Sequence, residues 1–244
     1  ISLHQMKYGG EKVWADDRFA YVAGVANDAG LIAFDVSNEN DIRWLGRYNH
    51  PTCSEDVAVA GAFAFLAHGD IGLEYVIDID NPTEQLQVVH HVDAAALSRA
   101  VCVRGSLAYD ANDYNGLRII DVSNPKAFKE VGHVDTYRAL GVWVEEDLAF
   151  VADDVNGLKI IDVGKPDNPK VIGSIDTKGE VQRVEVSGDH AMLAAGNAGL
   201  LVIDVSDVKA PIQVMSVDMV GYAWDVSVKG RIVAVAAGAR GLRV

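Results

Sequence analysis

The stretch "NGLRIIDVSNP" occupies residues 115–125, and "NGLKIIDVGKP" follows at 156–166. Their shared core is Gly-Leu, a short apolar run and Asp. The same core appears as "GLIAFDVS" from Gly30, "GLEYVIDID" from Gly72 and "GLLVIDVS" from Gly199, and a clipped copy, "GLRV", starts at Gly241. Successive glycines are 42, 44, 41, 42 and 42 residues apart. A period of that size, held that tightly, marks an array of one repeated supersecondary unit.

Each unit has the same internal grammar. Two apolar runs precede Gly-Leu, for example "GVWVEED" and then "LAFVADD", and one follows the Asp after a polar turn, for example "KVIGSID". With the Gly-Leu run itself, that makes four runs of about 4–7 residues, rich in β-branched and aromatic side chains and separated by Gly, Asn, Asp, Ser or Pro. Such runs read as strands, here named a to d within a unit. Four strands in about 42 residues, repeated, specify a propeller blade. The second strand carries a column of small residues, Ala20, Ala64, Ala108, Ala149, Ala191 and then Val233, as convergence of inner strands requires. The glycine before each Leu predicts a positive φ at the b–c turn. The Asp closing strand c (Asp35, Asp78, Asp121, Asp162, Asp204) predicts a carboxylate that accepts backbone N–H groups of the next turn. Five units are complete and the sixth has strands a and b with the start of c. Residues 1–8, "ISLHQMKY", stand where a strand d belongs. The expected fold is therefore an all-β, six-bladed β-propeller of four-stranded antiparallel blades over residues 1–244. Its N-terminal strand completes the last blade and closes the ring, which removes exposed sheet edges.

The stretches "GLRIIDVSNPKAFKEVGHVDT" and "GLKIIDVGKPDNPKVIGSIDT" resemble the LVIVD-repeat family, across essentially the whole chain. The resemblance implies a β-propeller that is secreted, surface-exposed or periplasmic, and it supplies no catalytic motif to carry over. The copy at Gly72 departs from the pattern, because six residues separate it from Asp78 instead of five. A β-bulge in that strand is the expected accommodation.

Composition narrows the function classes. With 35 acidic and 21 basic residues the net charge is −14, which repels nucleic acid. No apolar stretch approaches the roughly 20 residues that span a bilayer as a helix. The chain starts without Met or a signal peptide and reads as a mature or excised segment. Cys53 and Cys102 fall in no CxxC or Cys/His cluster, and both are expected to be buried apolar residues. Nucleophile elbows, P-loops and dinucleotide fingerprints are absent from the sequence.

Propellers carry function on their loops. Around the start of strand a, Glu55, Asp56, Arg99, Arg138, Arg183, Tyr222, Trp224 and Asp225 vary from unit to unit while the strands stay constant. They are the candidate binding surface for a protein or glycan partner, and a solvated rim is the plain alternative. The b–c loops "DANDYN" and "DDVN" gather Asp110, Asn112, Asp113, Asp153 and Asp154, hard oxygen ligands that suit Ca²⁺, although turn chemistry also explains them. His50, His90, His91 and His133 read as scattered surface residues. The leading expectation is a non-catalytic extracellular or cell-envelope binding module. The alternatives are a Ca²⁺-dependent hydrolase or lactonase using Glu55, Asp56 and Asp225, and a structural unit of a surface-layer or filament protein.

Overall fold

The structure, a computed structural model, describes residues 10–24, 30–49, 53–69, 72–79, 86–90, 97–124 and 126–244. Blade 1 holds β1 (Gly10–Ala15), β2 (Phe19–Gly24), β3 (Leu31–Asp35) and β4 (Arg43–Tyr48). Blade 2 holds β5 (Ser54–Ala60), β6 (Phe63–His68), β7 (Gly72–Asp78) and β8 (Gln87–His90). Blade 3 holds β9 (Ala100–Arg104), β10 (Leu107–Ala111), β11 (Leu117–Asp121) and β12 (Lys129–Val134). Blade 4 holds β13 (Gly141–Glu145), β14 (Leu148–Ala152), β15 (Leu158–Asp162) and β16 (Lys170–Ile175). Blade 5 holds β17 (Arg183–Ser187), β18 (His190–Ala194), β19 (Leu200–Asp204) and β20 (Ile212–Val217). A last sheet holds β21 (Asp225–Lys229), β22 (Ile232–Ala236) and β23 (Leu242–Arg243).

In every sheet the strands lie side by side in chain order. The fold is a β-propeller with four-stranded antiparallel blades. The described residues give five complete blades instead of the expected six, and the last sheet has three strands. Residues 1–8, expected as its fourth strand, lie outside the described residues.

Packing divides the chain into two compact units, Ile1–Asp110 with Ile120–Lys129, and Ala111–Ile119 with Glu130–Val244. In the first, one core lies between blades 1 and 2 (Tyr21, Leu31, Val57, Leu66, Ile77) and another joins Phe65 and Ala67 to Val101, Val103 and Ile120. In the second, blades 4 and 5 meet over Leu158, Ile160, Val184, Leu193, Leu201 and Ile203. Blade 5 meets the last sheet over Met192, Leu200, Val226 and Val235.

Strand c explains why the apolar run is continuous. Along β19, Leu201 and Ile203 face one neighbouring sheet while Leu200 and Val202 face the other. Period-2 alternation between two buried faces demands apolar residues at every step. Each large side chain fully buried this way contributes roughly 1.5–3 kcal/mol. The alanine column is buried from Ala20 to Ala191.

The turns follow the sequence reading. Gly116, Gly157 and Gly199 have φ of 71°, 73° and 77°. A Cβ on them would run into the backbone carbonyl of Val134, Ile175 or Val217 in the adjacent strand d, so glycine is required twice over. The Asp column caps its turns: Asp35, Asp121, Asp162 and Asp204 each accept the N–H of the residue two positions on, at 2.9–3.0 Å. Serine hydroxyls, with those amides, hold Asp35, Asp121 and Asp204 below the usual carboxylate range. In β7, Leu73 pairs with Ala67 and Tyr75 with Leu66, which leaves Glu74 unpaired as the expected bulge.

One reading needs correction. Cys102 is buried, but Cys53 is exposed, since it lies ahead of β5 and not within it. β20 is exposed at all six positions, whereas β4 and β16 bury their fourth residue. In blades 3 and 4 the glycine at that position, Gly132 or Gly173, lies against a carbonyl of the next blade's c–d turn, Pro166 or Val208.

Candidate functional site

The second unit places its variable residues by a repeated backbone device. The b–c turn of one blade forms an antiparallel backbone bridge with the loop that leads into strand a of the next. The bridges are Asp113 to Ala139, Asp154 to Val181 and Gly196 to Ala223. All three b–c residues are left-handed, with φ of 45°, 52° and 55°. One residue before each bridging partner stand Arg138, Glu180 and Tyr222. The shared register puts these three side chains in one row.

Arg138 is the centre of the first cluster. Its Nε donates to Asp113 Oδ1 at 2.9 Å and its Nη1 to Asp154 Oδ2 at 3.2 Å. Asp113 is 1% exposed and Asp154 7%, so both carboxylates depend on this pairing in place of water. The guanidinium also lies 5.4 Å from the ring centre of Tyr114, which is exposed. The hydrogen bonds that Arg138 donates to Asp113 and Asp154 hold it protonated well beyond its ordinary range. Non-glycine residues at positive φ cost on the order of 1–2 kcal/mol, a strain that the Arg138 contacts offset. Asp153, fully buried, accepts the backbone N–H of Tyr137 at 3.2 Å and of Arg138 at 2.7 Å, which fixes the same loop from below.

The second cluster uses different chemistry. Tyr222 packs on Gly196, where a Cβ would come within 2.9 Å of the ring. The Tyr222 hydroxyl donates to Glu180 Oε2 at 2.6 Å. Trp224, half-exposed, sits 4.4 Å from the Tyr222 ring centre at an interplanar angle of 44°. The Tyr222 hydroxyl is pushed up, first by burial, then by the hydrogen bond and charge of Glu180, with Asp154 adding to the effect and Arg138 opposing it. That cross-talk places the two clusters in one electrostatic neighbourhood.

The remaining candidates scatter. In the first unit, Arg99 pairs with Glu55 at 3.2 Å. Asp56 is buried and accepts the amide of its neighbour Val57 at 2.8 Å and, across to β9, that of Val101 at 3.1 Å. Ser98 donates a short hydrogen bond to buried Asp110. In the second unit, Arg183 donates to the carbonyls of Leu140 and Gln182, and Asp225 accepts the amide of Val226 at 3.0 Å. Asn112 accepts from Asn115 at 3.1 Å. Among the described residues, no group of three or more His, Cys, Asp or Glu is placed to hold a metal ion. His133 pairs with Glu130 at 3.2 Å. His50 and His91, and the side chain of His90, lie outside the described residues. Ser54 and His68 meet at 3.2 Å, but both are fully buried and serve the core. No helix among the described residues is long and apolar enough to cross a membrane.

The structure thus merges two sets that the sequence kept apart. Arg138, Tyr222 and Trp224 come from the loop set, and Asp113 and Asp154 from the set read as cation ligands. Sequence reasoning missed Glu180 and Gly196. Their signal was present: both align with positions already singled out, one repeat earlier or later.

The pattern of the LVIVD repeat matches residues 10–50, 53–89, 97–136, 138–177 and 178–219. No curated protein is a match in sequence. Three solved structures are similar in fold. One belongs to a mitotic checkpoint complex: TM-score 0.74, 13% identity, covering 98% of this chain and 74% of that one. Another is a functionally unknown protein from Desulfotomaculum acetoxidans DSM 771: TM-score 0.73, 13% identity, 88% and 71% covered. The third is the computationally designed Ika8 protein: TM-score 0.70, 10% identity, 93% and 68% covered. Identities this low carry the fold alone.

Proposed function

The chain belongs to the LVIVD-repeat family, and from that premise we propose that it is a non-catalytic binding module whose loop row Arg138–Glu180–Tyr222, with Trp224, docks a partner protein. The observation that carries this reading is the restraint on Arg138. Two nearly buried carboxylates in left-handed backbone hold one arginine, and that arginine is stacked on an exposed tyrosine. Side chains fixed before binding lose little entropy on binding. Tyr, Trp and Arg are also the residues that dominate interface energies. The substitution pair Trp224→Ala and Tyr222→Ala tests it. Retention of the partner from the source's own extract should fall at least tenfold. Unchanged retention removes this face from consideration.

The proposal extends to architecture and place. Residues 1–8 complete the last sheet as a sixth blade. In support, a Cβ on Gly241 would meet nothing within 4 Å among the described residues, whereas its counterparts press on a strand d. Deleting residues 1–8 should lower the melting temperature by several degrees, and an unchanged melt would set the count back to five. The module works at the cell surface, in the periplasm or outside the cell, which fractionation of the producing cells checks. Bound Ca²⁺ and hydrolase chemistry are the weaker reading, because Asp113, Asp153, Asp154 and Asp56 already satisfy Arg138 and backbone amides.

A further inference from the structure

The two clusters of the loop row share one chemistry, but only one of them contains a cation. Around Arg138, carboxylates and an aromatic ring surround a guanidinium that belongs to the protein. Around Glu180 there are again a carboxylate and aromatic rings, Tyr222 and Trp224, yet no Lys, Arg or His of the described residues pairs with Glu180. Arg138 is committed to Asp113 and Asp154, and Arg240 lies near Gly221 without reaching a carboxylate. The Tyr222 hydroxyl fixes the Glu180 carboxylate through Oε2. The Trp224 ring lies against Tyr222 at a tilt of 44°, and Trp224 is 53% exposed.

We propose that the Glu180–Tyr222–Trp224 corner binds a basic side chain, lysine or arginine, presented by the partner protein. This rests on the binding-module reading above and names what the module recognises. An indole face attracts a cation through its quadrupole, and an adjacent carboxylate adds an ion pair. The net charge of −14 draws a basic segment toward the molecule. Arg138 shows inside the same row that this combination holds a cation.

The test uses a flexible Gly/Ser peptide carrying four lysines, the same peptide with the lysines acetylated, and a neutral oligosaccharide. Binding is followed on the indole N–H signal of Trp224, assigned with Trp224→Phe. The lysine peptide should shift that signal saturably, and the acetylated peptide should leave it in place. Glu180→Gln should weaken the lysine peptide about three- to fivefold. Glu145→Gln, the same charge change at the opposite end of β13, should leave affinity unchanged. Equal loss in both variants means diffuse attraction to an acidic protein and overturns the proposal. So does a Trp224 signal moved by the oligosaccharide and not by lysine. That last result leaves the docking row standing with a glycan as its ligand, whereas unchanged partner retention by the Trp224→Ala, Tyr222→Ala pair removes the row itself.

Discussion

The junction at Asp113 and the junction at Gly196 have the same backbone and opposite side-chain chemistry. Both are left-handed, and both bridge to the alanine that leads into the next strand a. At the first, an aspartate reaches out and holds Arg138. At the second, a glycine withdraws and Tyr222 lies on it. The fold needs the backbone turn at both. The side chains form matched pairs, Asp with Arg and Gly with Tyr, which a solvated rim under no other demand has no reason to form. The aspartate is the more costly choice at positive φ, and it persists where a cation has to be fixed.

The comparison can be broken most forcefully at Arg138. Arg138→Met leaves Asp113 and Asp154 buried without their cation and should cost about 3 kcal/mol in urea denaturation. Adding Asp113→Gly and Asp154→Gly converts both turns to the glycine type, and most of the loss should return. If the triple variant stays as weak as the single one, the aspartates serve the fold directly and the pairing argument fails.

A smaller effect is expected from the other side. Gly196→Ala puts a Cβ about 2.9 Å from the Tyr222 ring at a φ of 55°. It should cost about 1–2 kcal/mol. Combined with Tyr222→Ala, part of that cost should vanish. A double-mutant cycle on melting free energies sharpens the point, since additive losses would show that Gly196 serves only its own φ.

Much of the fold was legible because its rules are local. The glycine before each Leu announces positive φ, and Gly116, Gly157 and Gly199 have it. The Asp column caps a turn two residues away. The extra residue between Gly72 and Asp78 appears as a bulge at Glu74. The candidate site was only half legible. Trp224 and Tyr222 stood out as aromatics on a variable loop, but nothing in the sequence told Asp56, a buried strand-to-strand acceptor, from a rim carboxylate. The described residues give five complete blades and a three-stranded last sheet, and a sixth blade depends on pairing two distant ends of the chain.

The sequence alone determined the period, the four strands of each unit, the turn glycines and the capping aspartates. Each of these follows from contacts within a few residues, repeated at every copy. Only the tertiary structure decided that Asp113 and Asp154 hold Arg138, that Gly196 makes room for Tyr222, and that Tyr222 aims Glu180. Those partners lie 16 to 42 residues apart in sequence and meet because the b–c turns and the loops into strand a bridge in register, within a blade and between consecutive blades. The identity of a neighbour in the next repeat is a property of packing, and no local pattern encodes it.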